Sequence, residues 1–65
     1  MSDKYHHQSV EITIPKDSAL FRRIKAHATK DGVTVEAVIK LLTTMMMQGT
    51  YDLMSKRMDI LEKKK

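Results

Sequence analysis

The sequence predicts a mostly helical chain with one short β-strand. Three observations predict it. Residues 9–14 alternate polar and apolar with period two, the segments after Ser18 and after Thr34 repeat apolar residues at helical spacing, and a third helical pattern follows Gly49-Thr50.

The strand comes first. Ser9, Glu11 and Thr13 fall on one face, Val10, Ile12 and Ile14 on the other, and Pro15 closes the run. Ahead of it, residues 1–7 are polar and show no periodicity, so they are expected to form a flexible N-terminal arm. A lone strand leaves its N–H and C=O groups without partners, and nothing else in the chain reads as a second strand. The economical solution is another copy of the chain: two strands pairing antiparallel, an intermolecular two-stranded ribbon, with both Val-Ile-Ile faces turned to a shared core. Size argues the same way. A 65-residue chain without cysteine has neither disulfides nor the commonest zinc sites to stabilise it, which leaves association as the means of enlarging the core. The expected architecture is therefore an intertwined homodimer.

After Pro15, Lys16-Asp17-Ser18 supplies capping residues, and Leu20, Phe21, Ile24 and Ala28 make one apolar stripe with Arg22, Arg23 and Lys25 outside it. Gly32 suits the left-handed position that ends a helix. Thr34 is a good N-cap for the next one, and Glu36 places a negative charge in its first turn. Val35, Val38, Ile39, Leu42, Met45 and Met46 then recur at helical spacing in the most apolar part of the chain. The dimer core is accordingly expected to comprise Val10, Ile12, Ile14, Leu20, Phe21, Ile24, Val38, Ile39, Leu42, Met45 and Met46. Residues 50–63 read as an additional amphipathic helix. Tyr51, Met54, Met58 and Leu61 line its apolar side, continuing a spacing that Met47 begins, and these five are candidates for a second interface because the first two helices do not need them.

Charge and chemistry narrow the function. A formal net charge of +4 favours an anionic partner, although Lys63-Lys64-Lys65 contributes much of the excess. The apolar stretch around Val38–Met47 is broken by Lys40, Thr43 and Thr44, far short of a membrane span, and no signal-peptide pattern opens the chain, so a cytoplasmic location is expected. The basic tail lacks Trp and Phe and is interrupted by acids, which argues against a membrane-surface helix. Adjacent histidines in a strand point to opposite faces, so His6-His7 make no metal site, and no cofactor is expected. His27 reads as a surface or core-edge histidine. With no nucleophile–base pairing and no glycine-rich phosphate loop, an enzyme is not expected and no catalytic residue is assigned.

The alternating Ser9-Val10-Glu11-Ile12-Thr13-Ile14, the Pro15 that ends it and Asp31-Gly32-Val33-Thr34-Val35-Glu36 between two helices resemble the ribbon-helix-helix family of Arc, MetJ and CopG, over residues 8–48. The resemblance implies a ribbon lying in the major groove of double-stranded DNA. Its base readers would be Ser9, Glu11 and Thr13. Ser and Thr can donate or accept, and Glu can accept from cytosine N4. Glu11 departs from the Arg, Lys, Asn or Gln usual there and should trade general affinity for discrimination. The resemblance also implies a phosphate at the start of the second helix, on Thr34 and Val35, with Lys4, Lys16 and His7, beside His6, adding backbone contacts. The implied function is a sequence-specific transcriptional repressor of plasmid, phage or chromosomal origin, acting as a dimer or a pair of dimers. The alternative is an antitoxin, or an accessory protein of plasmid partition or transfer, whose C-terminal helix binds a protein partner.

Overall fold

Val10, Ile12 and Ile14 turn inward and Glu11 and Thr13 outward along a strand, as the alternation requires. The computed structural model describes residues 2–7 and 10–63, with side chains from Lys4 onward. In chain order the elements are β1 (Ser2–His7), β2 (Val10–Pro15), α1 (Ala19–Asp31), α2 (Val35–Thr43) and α3 (Tyr51–Lys63). The protein is thus mostly helical, with one two-stranded antiparallel sheet.

The N-terminal segment departs from expectation: Ser2–His7 is a strand, not an arm. It pairs with β2 along its whole length, with Lys4 opposite Thr13, Tyr5 opposite Ile12, His6 opposite Glu11 and His7 opposite Val10. The backbone groups of β2 that seemed to demand a second copy find their partners in the same chain. Ser2–His7 has almost no strand signature of its own, because its side chains are polar and only Tyr5 has a bulky ring to pack. Context decides here: β2 offers an open ladder, and Tyr5 sits opposite Ile12 and packs against the core.

A turn carries the chain from β2 into α1. Both the amide and the hydroxyl of Ser18 donate to the Pro15 carbonyl, at 3.1 and 2.6 Å, while Ser18 Oγ accepts from the Phe21 amide at 3.2 Å, capping the helix. At the other end Gly32 adopts φ 70°, and the amides of Gly32 and Val33 donate to the carbonyls of Thr29 and Ala28, a paired closure that a residue with a Cβ would strain. Thr34 caps α2 by accepting from the Ala37 amide at 3.1 Å. The second helix stops at Thr43, earlier than the apolar spacing through Met46 suggests, and the Thr43 and Thr44 hydroxyls both donate to carbonyls of the preceding turn. That early stop separates two neighbours: Met46 turns into the core, whereas Met45 is 71 % exposed and leaves the expected core set.

The third helix is separate from the second, and Thr50 Oγ1 caps it by accepting from the Leu53 amide at 3.2 Å. Its inner face corrects a second expectation. Met54 and Met58 are completely buried among Val10, Ile12, Ile14, Leu20, Ile24, Val38, Ile39 and Leu42, in the chain's own core and not at an interface. Leu61 packs at the edge of the same cluster with Phe21, which is half-buried. Fully burying such a side chain stabilises by about 1.5–3 kcal/mol, so α3 is a structural wall of the domain. The outer ends of α1 and α3 are joined by Arg23, which donates to Asp59 at 2.5 Å and to Glu62 at 2.6 Å, and Tyr51 accepts from the Leu20 amide at 3.4 Å.

Candidate nucleic-acid interface

In an antiparallel pair, residues directly opposite each other share a face. Since β2 turns Glu11 and Thr13 to solvent, the register places His6 and Lys4 beside them, and all four side chains are exposed. Two of the sequence-predicted readers are therefore brought together on the outer face of the hairpin; Ser9 lies outside the described residues. Lys4 and His6, read earlier as phosphate contacts on an arm, stand instead beside Thr13 and Glu11 on a paired strand. A clue was available in the sequence, because pairing His7 with Val10 puts His6 opposite Glu11 and Tyr5 opposite Ile12. It was obscured by the absence of alternation in Ser2–His7.

Glu11 is not isolated on this surface. His6 Nε2 lies 3.7 Å from Glu11 Oε2, a cross-strand contact on the outer face of the hairpin. The pair is exposed, at 65 % for the histidine side chain and 55 % for the glutamate. His7, by contrast, lies opposite Val10 on the inner side and is half-buried, which removes it from the solvent face where a phosphate contact was expected.

The remaining sequence-predicted phosphate contacts are spread out. Lys16 is exposed just past the end of β2. Thr34 is exposed at the start of α2, with its hydroxyl oxygen accepting from its own helix, and Val35 is half-buried. A residue that sequence reasoning missed is Lys40, on the exposed side of α2. The β1 strand lies against that helix, and a cleft between them is lined by Lys4, Tyr5, His6, Glu36, Ile39 and Lys40. Among the described residues, neither Lys4 nor Lys40 is engaged in an ion pair.

The opposite edge of the hairpin is set by Gly49. A Cβ there would overlap the Glu11 carbonyl oxygen and stand 2.8 Å from Val10 Cγ1, so the segment between α2 and α3 presses its backbone directly against β2. The backbone that carries Glu11 is thus held from both sides.

Charges elsewhere serve the scaffold. The hydrogen bonds that Arg23 donates, first to Glu62 and then to Asp59, raise its pKa, and the same guanidinium holds the Glu62 carboxyl below the usual carboxylate range. His27 Nε2 stands 2.9 Å from Asp31 Oδ2, one helical turn along α1. Among the described residues, no three His, Cys, Asp or Glu side chains gather as metal ligands, and no helix is long and apolar enough to cross a membrane.

No protein-family model, curated protein or solved structure matches this chain.

The candidates for a second interface divide. Met54 and Met58 are in the core, Leu61 is at its edge, Tyr51 is 37 % exposed and Met47 is 97 % exposed. A shallow apolar groove between α2 and α3 is lined by Leu41, Leu42, Met45, Arg57, Ile60 and Leu61. Arg57 crosses it to donate to the Met45 carbonyl at 3.1 Å.

Proposed function

We propose that this protein is a sequence-specific DNA-binding repressor that inserts the β1–β2 hairpin into the major groove. The observation that supports this best is the outer face of the hairpin, where Lys4, His6, Glu11 and Thr13 stand exposed on two paired strands backed by the buried core. The strands of such a ribbon lie about 4.8 Å apart and the major groove is about 12 Å wide, so a two-stranded ribbon fits it. The chemistry suits base edges. Lys4 donates to guanine O6 or N7, Glu11 accepts from cytosine N4, Thr13 donates, accepts or packs on a thymine methyl, and His6 donates or accepts according to its protonation.

This reading keeps the ribbon implied by the family resemblance and changes its origin, since both strands come from one chain. A homodimer remains part of the proposal, with the exposed Leu41, Met45 and Ile60 side chains as its contact rather than β2 paired with β2. The alternative, an antitoxin or accessory protein with a partner-binding tail, draws less support because α3 commits Met54 and Met58 to the core.

Selection from a random duplex pool tests the proposal. The wild type is expected to enrich one short motif, repeated if two copies act together, and a variant carrying Lys4→Ala, His6→Ala, Glu11→Ala and Thr13→Ala is expected to lose it while keeping its fold by circular dichroism. Equal enrichment by both proteins would remove the hairpin from the reading role.

A further inference from the structure

We infer that the cleft between β1 and α2 seats a phosphodiester of the DNA strand that runs beside the hairpin, with Lys40 and Lys4 as its two cations. The inference rests on the DNA-binding reading above and adds to it a site and a residue, Lys40, outside the sequence-predicted set.

The argument is geometric. When a two-stranded ribbon lies along the major groove, its outer face meets the bases and its two edges run beside the sugar-phosphate backbones. One edge of this hairpin is closed by the segment at Gly49, whose backbone abuts the Glu11 carbonyl. At the other edge β1 lies against α2, and the cleft formed there has Lys4 and His6 on the strand side and Glu36, Ile39 and Lys40 on the helix side. Lys4 stands at the boundary between the reading face and this cleft, since it is on the outer face of β1 and also lines the cleft.

Charge supports an anion there. Lys40 and Lys4 contribute two positive charges and Glu36 one negative charge, with His6 adding a further positive charge when protonated. Neither lysine is neutralised by an ion pair among the described residues. Glu36 and Lys40 are one turn apart on α2, where a carboxylate and an ammonium are neighbours. Glu36 therefore moderates the site, much as Glu11 moderates the reading face, and the two acids make opposite predictions from the two lysines.

A phosphate contact carries no base information, so its loss weakens all duplexes alike. Each phosphate neutralised steepens the fall of affinity with salt by a slope of about 0.9 in logarithmic terms. The test measures duplex binding by Lys40→Gln, Lys4→Gln and Glu36→Gln at two salt concentrations, with Lys56→Gln on α3 as a control. Between about 50 and 200 mM salt, the affinity of the wild type should fall about 3.5-fold further than that of Lys40→Gln, which is the worth of one contact. Lys40→Gln should leave the ranking of duplex sequences unchanged, Glu36→Gln should tighten binding, and Lys56→Gln should match the wild type. Lys4→Gln should lower the salt dependence and alter the ranking as well, because it serves both surfaces.

Inorganic phosphate, at matched ionic strength, separates the duplex backbone from a free phosphate as the source of the anion. Nuclear magnetic resonance shifts around Lys40 on adding duplex, with none at millimolar phosphate, are expected; shifts with phosphate and none with duplex would overturn the assignment. Tight duplex binding with the salt dependence of Lys40→Gln equal to that of the wild type would overturn the cleft while leaving the hairpin reading intact. Failure of the wild type to bind any duplex would instead sink both.

Discussion

Replacing Gly49 by alanine should destabilise the protein through space rather than backbone conformation. Among the described glycines only Gly32 has a positive φ, so alanine can adopt the backbone conformation at 49. The obstacle is the added carbon, which would overlap the carbonyl oxygen of Glu11 and stand 2.8 Å from Val10 Cγ1. The carbonyl belongs to a strand held by its pairing with β1, and Val10 is 5 % exposed, so neither gives way easily. Forcing an extra carbon into packed surroundings costs about 1–3 kcal/mol. Alanine also reduces the freedom of the unfolded chain, which returns about 0.4–1 kcal/mol. The net expected loss is about 1–2 kcal/mol, and for a domain of this size each kcal/mol moves Tm by roughly 4–8 °C, a fall of about 5–15 °C. Thermal melting followed by circular dichroism, with urea unfolding in parallel, measures it. Gly32→Ala is the informative companion: no atom lies within 4 Å of a Cβ there, so its cost comes from φ alone, and Gly32→Asn should recover part of it. A Gly49→Ala protein as stable as the wild type would refute the close approach of this segment to β2.

Two further predictions concern the scaffold. Met58→Ala, at a completely buried position, should cost about 2–5 kcal/mol in urea unfolding; a loss below 0.5 kcal/mol, on the order of a surface change, would mean that α3 does not wall the core. The pH dependence of stability should include a small contribution from Glu62. Its carboxyl titrates lower when folded than when unfolded, so this stabilisation is full above the unfolded carboxylate range and is lost as the pH falls through the folded value. Because the pair is solvent-exposed, the contribution should be below about 1 kcal/mol, and Arg23→Gln should abolish it in acid unfolding curves compared with the wild type.

The parts of the fold legible in the sequence are those in which burial imposes a period. Val10, Ile12 and Ile14 announce a strand with one wet face, and Leu20, Ile24 and Ala28, like Val38, Ile39 and Leu42, announce helices with one dry stripe. The caps were legible too, since Ser18 and Thr34 each accept the amide hydrogen bond that their residue type suits. What the sequence hid was β1, whose residues are held by a ladder and not by a pattern of their own. From that omission followed the lone strand and the partner assigned to it. Met45 and Met46 show a second limit, because spacing says that both can face inward if the helix continues, whereas the Thr43 and Thr44 hydroxyls mark where it stops. Met54 and Met58 show a third: amphipathicity reveals that a helix face will be covered without revealing by what. For the candidate interface, Glu11 and Thr13 were legible from alternation, while Lys4, His6 and Lys40 came together only once β1 had been placed.

The strict alternation along β2 divides its labour between neighbouring positions. Val10, Ile12 and Ile14 hold the domain together, and Glu11 and Thr13, with Lys4 and His6 opposite, are exposed on the other face. Exposed positions of this kind tolerate most substitutions within about 0.5 kcal/mol. The outer surface of the hairpin can therefore be rewritten, by mutation in nature or by a randomised library at positions 4, 6, 11 and 13, with little effect on whether the chain folds. A lineage built on this scaffold could change that surface without first having to acquire spare stability.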